Sequence, residues 1–317
     1  MKRRDVICWL GAAVAWPVSA RAQPRKSARI GVLIVSNPEP FVGLLKQALR
    51  QRGYVEGQNV FIEVRSAQGN LELLPRLANE LVAQKVDILV GWQTPPVHAL
   101  KSATGTIPIV MMAGDPLATG VVSNLARPAG NVTGVSSTTA ALGGKTLELI
   151  REMLPSAKRV AVLGNAADPF TKPFVEQLQL AGPSAALEIR ALIISGGEQY
   201  KAAFAEITKW RADALIVQPS LPRDIAVGLA LKHRLPSISP TRLFPEAGGL
   251  MSYAASVAPL YTEVATYIDR ILGGTKPGDL PVQQPTAYEL VVNLKTANAL
   301  GLSVPRALLL RADHVIQ

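Results

Sequence analysis

Apolar, strand-like runs alternate with amphipathic helical stretches along most of this chain, and the alternation occurs twice. The first series begins with the continuous apolar run at 29–35, which is typical of a strand that is buried on both faces. Apolar residues then recur at helical spacing over 41–52, and Gly53 predicts the end of that helix. Further strands are predicted at 60–64, 86–91 and 109–112, with helices at 71–84 and from Pro95. Strands that alternate with helices in this way predict a parallel sheet with right-handed crossovers.

The second series begins at residue 159 and repeats the same order of elements. It predicts strands at 159–163, 188–194, 214–217 and 237–238, and helices at 170–181, 198–210 and 224–233. Two short segments echo the first series in pattern and place, because 85–90 is similar to 211–216 and 107–110 is similar to 235–238. The sequence therefore predicts an α/β fold with two similar parallel-sheet lobes.

Three segments are expected to cross between the two lobes and to form a multi-strand hinge. They lie at 128–134, 248–253 and 280–285; a helix is predicted at 259–272 and a last strand at 288–293. The predicted lobes are 23–133 plus 251–283 for the first and 134–250 plus 284–317 for the second. Three crossings would limit the hinge to opening and closing.

The first 22 residues have the pattern of a signal peptide. A basic segment at 2–4 precedes an apolar run at 6–18, and 20–22 supplies small residues at the positions that a signal peptidase reads. The apolar run is too short to span a hydrocarbon core of about 30 Å. The single cysteine, Cys8, lies inside this segment, so the mature protein is expected to hold no disulfide and no lipid anchor. We therefore expect export to the periplasm, with the general secretory and twin-arginine routes both open.

The net charge of +10 is spread along the chain rather than concentrated. No dense basic run or interleaved aromatic platform is present in the sequence, which favours a solvated basic surface over a nucleic-acid site. The three histidines, His98, His233 and His314, lack metal-ligand spacing. The segment 139–146 lacks the first glycine of a phosphate-binding loop, and 134–138 lacks the closing glycine of a nucleophile elbow. The sequence thus predicts no catalytic residue, no metal and no cofactor.

Ligands of open parallel sheets bind at the carboxyl ends of the strands, beside helix N-termini. The polar and aromatic residues of those loops are the candidate ligand contacts: Ser36, Asn37, Trp92, Gln93, Thr94, Asp115, Ser137, Thr138, Asn165, Asp168, Gln218 and Tyr253. Trp92 and Tyr253 could stack on an aromatic or apolar group of a ligand. Asp115 could pair with an ammonium group.

The predicted helix starts near Thr94, Ser137 and Thr138 would favour a carboxylate, because free N–H groups and the helix dipole meet there. Each candidate also has an ordinary structural interpretation. Ser and Thr at helix starts commonly serve only as N-caps. Asp115 precedes a proline and is also a turn signal, and Trp92 could belong to the core of its lobe.

Several short segments of the chain match the pattern of a known family. They are 53–59 (GYVEGQN), 126–134 (ARPAGNVTG), 246–253 (EAGGLMSY), 284–286 (QPT), 289–297 (ELVVNLKTA) and 308–313 (LLLRAD). In these segments the chain resembles the ABC-transporter substrate-binding proteins of the tryptophan/tyrosine-type uptake group. The resemblance runs in order through nearly the whole mature chain, and it departs from the family pattern in the loop at 36–40 and at 182–184.

This resemblance implies the type I periplasmic-binding fold and the solute-binding role in an ABC importer. A small molecule, such as an aromatic or other amino acid or a carboxylate, would be captured between the lobes by hinge closure. The implied partner is an ABC permease in the inner membrane, and the protein is expected to be a monomer that binds no nucleic acid. The alternative is a periplasmic ligand sensor that presents the bound molecule to a membrane signalling receptor.

Overall fold

The computed structural model describes residues 27–138 and 142–317, and of 137 and 138 it describes the backbone alone. The predicted signal peptide at 1–22 lies outside this part of the chain. Within the described residues, no helix combines the length and the apolar character needed to cross a membrane.

The first lobe is built on a sheet of five strands. They are β1 (Ala28–Ile34), β2 (Val60–Ser66), β3 (Ile88–Trp92), β4 (Ile109–Gly114) and β5 (Val132–Thr138). The strands are all parallel and lie in the order β2-β1-β3-β4-β5. The helices of this lobe are α1 (Phe41–Arg50), α2 (Leu74–Ala83), α3 (Thr94–Ala103) and, from much later in the chain, α9 (Val257–Leu272).

Both faces of the sheet are covered at its central strands, which explains why β1, β3 and β4 are almost entirely apolar. Ile30 and Val32 of β1 pack with α1 and α9 on one face, whereas Leu33 packs with α2 and α3 on the other. Successive strand residues point to opposite faces of a sheet. A strand that is buried on both sides therefore has no position left for a polar residue.

The second lobe is built on a sheet of seven strands. They are β6 (Arg159–Asn165), β7 (Glu188–Ile194), β8 (Ala214–Val217), β9 (Ser237–Ile238), β10 (Met251–Ala255), β11 (Tyr288–Asn293) and β12 (His314–Ile316). Their order is β12-β11-β10-β9-β8-β6-β7, and the pairing is parallel except between β10 and β11. The helices are α4 (Leu142–Met153), α5 (Thr171–Ala181), α6 (Gln199–Trp210), α7 (Arg223–Lys232), α8 (Leu243–Glu246), α10 (Leu294–Leu300) and α11 (Arg306–Arg311).

The predicted fold class, two lobes with mainly parallel sheets, is confirmed by this architecture. The sequence did not predict the helices α4, α8, α10 and α11, and β11 is not the last strand as predicted. The chain continues through two short helices and returns as the edge strand β12, which pairs with β11 from Val291↔His314 onward. Its residues are partly or fully exposed, so their sequence shows no buried apolar run.

The chain passes between the lobes three times, and the crossing segments pair with one another. Gln283 N–H donates to the carbonyl of Gly134 at 3.0 Å, and Ser136 N–H donates to the carbonyl of Gln283 at 2.8 Å. Ser256 N–H, between β10 and α9, donates to the carbonyl of Ala287 at 2.9 Å. The three connections thus form a hydrogen-bonded hinge.

The crossings differ from the predicted lobe boundaries at two places. Strand β5 pairs with β4 as far as Thr138, so the chain leaves the first sheet after this residue and not at 133. Strand β10 pairs with β9 and β11 in the second sheet, although 251 was predicted to begin the returning part of the first lobe. The reason is physical: the local pattern of a strand indicates burial, but it does not indicate which strands lie beside it.

Candidate functional site

A cavity of about 590 Å³ lies between the two lobes, at the carboxyl ends of their parallel strands. From the first lobe it is lined by loops that follow β1, β2 and β3, with the polar or aromatic side chains Ser36, Asn37, Ser66, Gln68, Trp92 and Gln93. From the second lobe it is lined by loops that follow β8 and β9, with the side chains Gln218, Ser220, Arg223, Ser239, Thr241 and Phe244. Five of the predicted contacts, namely Ser36, Asn37, Trp92, Gln93 and Gln218, therefore share one cavity.

Trp92 belongs to an aromatic cluster in the first lobe and is the member that lines the cavity. Its ring is stacked on that of Phe41, with 4.5 Å between the centroids and 13° between the planes. Phe41 in turn contacts Tyr261 of α9, with 5.4 Å between the centroids. Because Phe41 is fully buried and Trp92 is partly exposed, the core holds one face of the indole while the residue lines the cavity. The cluster provides a rigid, flat, apolar wall.

Gln93 joins the two lobes across the cavity. Its side-chain Nε2 donates to the carbonyl of Pro219 at 3.1 Å, and its backbone N–H donates to the carbonyl of Met112 at 2.8 Å. Its backbone has φ 74° and ψ 162°, a region that is almost reserved for glycine. A strained residue that connects the lobes at the cavity is the kind of position where backbone strain accompanies function.

The two lobes also touch directly beside the cavity. A Cβ atom built on Gly114 would lie 3.0 Å from the ring of Phe170, so this ring rests on the backbone of β4. A Cβ atom on Gly69 would lie 3.5 Å from the ring of Pro222. The two lobes thus meet in at least two places.

Gln218 is fully buried and anchors a network in the second lobe. Its Oε1 accepts hydrogen bonds from the Asn165 N–H at 2.7 Å and from the Thr171 hydroxyl at 2.7 Å. Its Nε2 donates to Asp168 Oδ2 at 2.7 Å, and Asp168 Oδ1 accepts from the Phe170 N–H at 2.8 Å. Asn165 and Asp168 were both predicted as ligand contacts. In the structure they form hydrogen bonds within the second lobe that hold Gln218 and the loop after β6 in place.

Burial raises the pKa of the Asp168 carboxyl above its ordinary value of 3.8, and contacts with Ser220, the Phe170 N–H and Gln218 act in the opposite direction. The folded protein therefore holds this proton at pH values where the unfolded chain has released it. The contribution of Asp168 to stability grows as the pH falls from the folded pKa to 3.8.

We expect Asp168→Asn to abolish this gain on acidification. The wild type should gain stability relative to the variant by up to about 1.4 kcal/mol per pH unit inside that window. Urea unfolding of both proteins between neutral pH and the ordinary Asp pKa measures the difference in their free energies of unfolding. The other acidic groups are the same in both proteins, so their contributions cancel in this difference. A wild-type advantage that shrinks on acidification would contradict the raised pKa.

Five predicted contacts lie outside the interlobe cavity or have side chains outside the described part of the chain. The buried Thr94 hydroxyl lies 3.4 Å from the carbonyl of Gly114, and Asp115 Oδ1 accepts from the Ala118 N–H at 3.0 Å. Asp115 borders a separate, much smaller cavity, and Tyr253 stacks on Tyr288 with 5.8 Å between the centroids. The side chains of Ser137 and Thr138 lie outside the described part of the chain, although their backbone belongs to β5.

Arg223, Ser239 and Thr241 line the cavity and were not predicted. The rule that ligands bind at the carboxyl ends of strands would have found the last two, since they follow β9 directly. The two-residue strand at 237–238 is too short to draw attention to the loop after it. Arg223 is the first residue of α7, where a positive charge interacts unfavourably with the helix dipole. A basic residue at such a position could have indicated a functional role.

The described residues, 27–138 and 142–317, contain no group of three or more His, Cys, Asp or Glu side chains that could hold a metal ion. The chemistry that the cavity offers is that of hydrogen bonding, ion pairing and stacking.

Comparisons with known proteins agree with this geometry. The family model described as ABC transporter substrate binding protein matches residues 35–316. A tyrosine-binding protein of Clostridioides difficile (strain R20291) is 28% identical over 293 residues, covering 89% of this chain and 83% of that protein. A conserved domain protein of Vibrio cholerae matches with a TM-score of 0.84 and 28% identity, over 92% of this chain and 100% of the other. An ABC domain of Streptococcus pneumoniae in complex with L-Trp matches with a TM-score of 0.83 and 28% identity, over the same shares.

Proposed function

This chain belongs to the family of ABC transporter substrate-binding proteins, and from this membership we propose that it captures a small, partly flat and apolar molecule between its lobes and delivers it to an ABC permease in the inner membrane. The family binds substrates and does not catalyse reactions. We further propose that the leader at 1–22 exports the protein to the periplasm, where it works as a monomer.

The observation that carries the proposal is the cavity between the lobes. Its volume of about 590 Å³ lies in the range of small-molecule sites, which is about 300–1,000 Å³. An aromatic wall on one side and several polar side chains on the other suit a molecule with a flat body and a polar end. The two relatives that are described with tyrosine and with L-Trp support a ligand that has an aromatic body and a carboxylate.

Capture would work by hinge closure. Each lobe offers half of the site, so a ligand that contacts both halves favours the arrangement in which they are close, by its differential affinity for that arrangement. The Gln93–Pro219 hydrogen bond and the contact of Phe170 with Gly114 belong to this arrangement and would break on opening. The permease would then recognise the paired surfaces of the two lobes.

The first test is to identify what the protein carries. Protein purified without denaturation should release a small molecule on unfolding, which mass spectrometry of the supernatant identifies. Adding that molecule back at about 100 times its Kd should raise the free energy of unfolding by about 2.7 kcal/mol, because it binds only the folded state. A screen of aromatic and aliphatic amino acids and carboxylates that gives no thermal shift, together with no released molecule, would refute small-molecule capture.

A further inference from the structure

Arg223 brings a cation with an unused hydrogen-bond donor to the second-lobe side of the cavity. It follows the loop after β8, begins α7 and lines the cavity, with 27% of its side chain exposed. Its Nε is buried and has no hydrogen-bond partner among the described residues. Asp224 Oδ1 lies 3.9 Å from this atom, which is too long for a hydrogen bond, and 90% of the Asp224 side chain is exposed to solvent. The guanidinium therefore keeps donors available for a ligand.

Two further groups of donors face the same side of the cavity. The first N–H groups of α7, in residues 223–225, have no partner within the helix and carry the positive end of its dipole. Ser239, at the end of β9, lines the cavity with 1% of its surface exposed, and its hydroxyl has no hydrogen-bond partner among the described residues. A buried hydroxyl without a partner is costly unless a ligand satisfies it.

The same side offers no acid that is placed to pair with an ammonium group. Both oxygens of Asp168 accept hydrogen bonds from its own lobe, and Asp115 borders the separate small cavity. Among the described residues that line the interlobe cavity, Asp224 is the only acid; 90% of its side chain is exposed to solvent and its nearest cation is Arg223 at 3.9 Å. A bound α-ammonium group would thus be desolvated without a carboxylate beside it, which is unfavourable.

We infer that this chain is selective for a monocarboxylate that has a flat apolar body and no α-ammonium group. Arg223, the start of α7 and the Ser239 hydroxyl bind the carboxylate, and Trp92 receives the flat body on the opposite wall. One guanidinium with neutral donors beside it matches a single negative charge. This inference rests on the proposed capture of a small molecule between the lobes, and it adds the chemical class of that molecule.

The test uses pairs of ligands that differ only in the ammonium group, with binding measured by calorimetry on the full-length exported protein. The pairs are indole-3-propionate with L-tryptophan, and 3-phenylpropionate with L-phenylalanine; the primary amide of each acid is the uncharged reference. We expect each acid to bind at least about tenfold more tightly than its amino acid and its amide.

Arg223→Gln should weaken the binding of the acids about 10- to 100-fold and leave the binding of the amides within about twofold. Lys232→Gln is the matched control, because it removes the same charge from the exposed opposite end of α7, about 13 Å along the helix. This variant should bind the acids like the wild type. Circular dichroism and melting of both variants verify that they are folded.

The outcomes separate this inference from the proposed function. If the amino acids bind as tightly as the acids, or if Arg223→Gln weakens acid and amide equally, the anion site is wrong while capture stands. A released natural ligand without a carboxylate overturns the inference in the same way. If no ligand of either class binds and no molecule is released from the purified protein, both the inference and the proposed function fail.

Discussion

Gly134→Ala is expected to destabilise the protein by at least about 3 kcal/mol, because it combines backbone strain with a steric clash. Gly134 lies in β5 with φ +135°, a conformation that L side chains rarely adopt. A Cβ atom there would lie 2.3 Å from the carbonyl oxygen and 2.6 Å from the nitrogen of Met111 in the neighbouring strand. These are backbone atoms of β4, so relief requires the two strands to separate. The carbonyl of Gly134 also accepts the hydrogen bond from Gln283, so the strain extends into the hinge.

Urea unfolding monitored by circular dichroism measures the effect of Gly134→Ala on the free energy of unfolding. Gly105→Ala is the control, because a Cβ atom at that position meets no atom within 4 Å and its φ is ordinary for an L residue. Its stability should stay within about 0.5 kcal/mol of the wild type. Equal unfolding midpoints for Gly134→Ala and the wild type would show that β4 and β5 do not approach as closely as described.

Trp92→Leu is expected to weaken ligand binding about 30-fold or more, which corresponds to about 2 kcal/mol. The indole presents the flat wall of the cavity, and its position is fixed by the stack on Phe41. Leucine keeps the apolar character but loses the flat surface and most of the contact area. The measurement is calorimetric titration with whichever molecule the purified protein releases.

Phe41→Leu tests whether Trp92 contacts the ligand directly or acts only through its packing on Phe41. Phe41 holds the other side of the same stack, but it is fully buried and does not line the cavity. This variant should lose about 1–3 kcal/mol of stability through the smaller core side chain, while its ligand affinity changes by less than about threefold. If the two variants weaken binding equally, Trp92 acts through the core and does not touch the ligand.

Buried strands could be predicted from the sequence because burial on both faces leaves a signal in every residue. Strands β8 and β11 begin and end where the runs at 214–217 and 288–293 predicted. The edge strand β12 is different: most of its residues are exposed, and it is held by backbone pairing with β11. Backbone hydrogen bonds can form whatever the side chains are, so such a strand leaves little trace in the sequence.

In the candidate site, too, some residues could be predicted from the sequence and others could not. The rule that ligands bind at strand ends placed Trp92, Gln93 and Gln218 at the cavity, because parallel strands bring their carboxyl ends to one edge. It could not tell that Asp168 turns inward to Gln218, since a loop acid can face the ligand or a neighbouring amide with the same local sequence. Nor could it single out Arg223, whose role depends on a guanidinium that the rest of the lobe leaves without a partner.

The sequence by itself thus determined the α/β class, the two-lobed repeat, the family and three of the loops that line the cavity, those after β1, β3 and β8. These properties follow from local periodicity and from short motifs, which act over a few residues. The tertiary structure alone decided which sheet each crossing strand joins, which polar side chains are satisfied within a lobe, and which remain available to a ligand. Those outcomes depend on hydrogen-bond partners that lie far apart in the chain, as in the 50 residues that separate Asp168 from Gln218, and no local pattern records them.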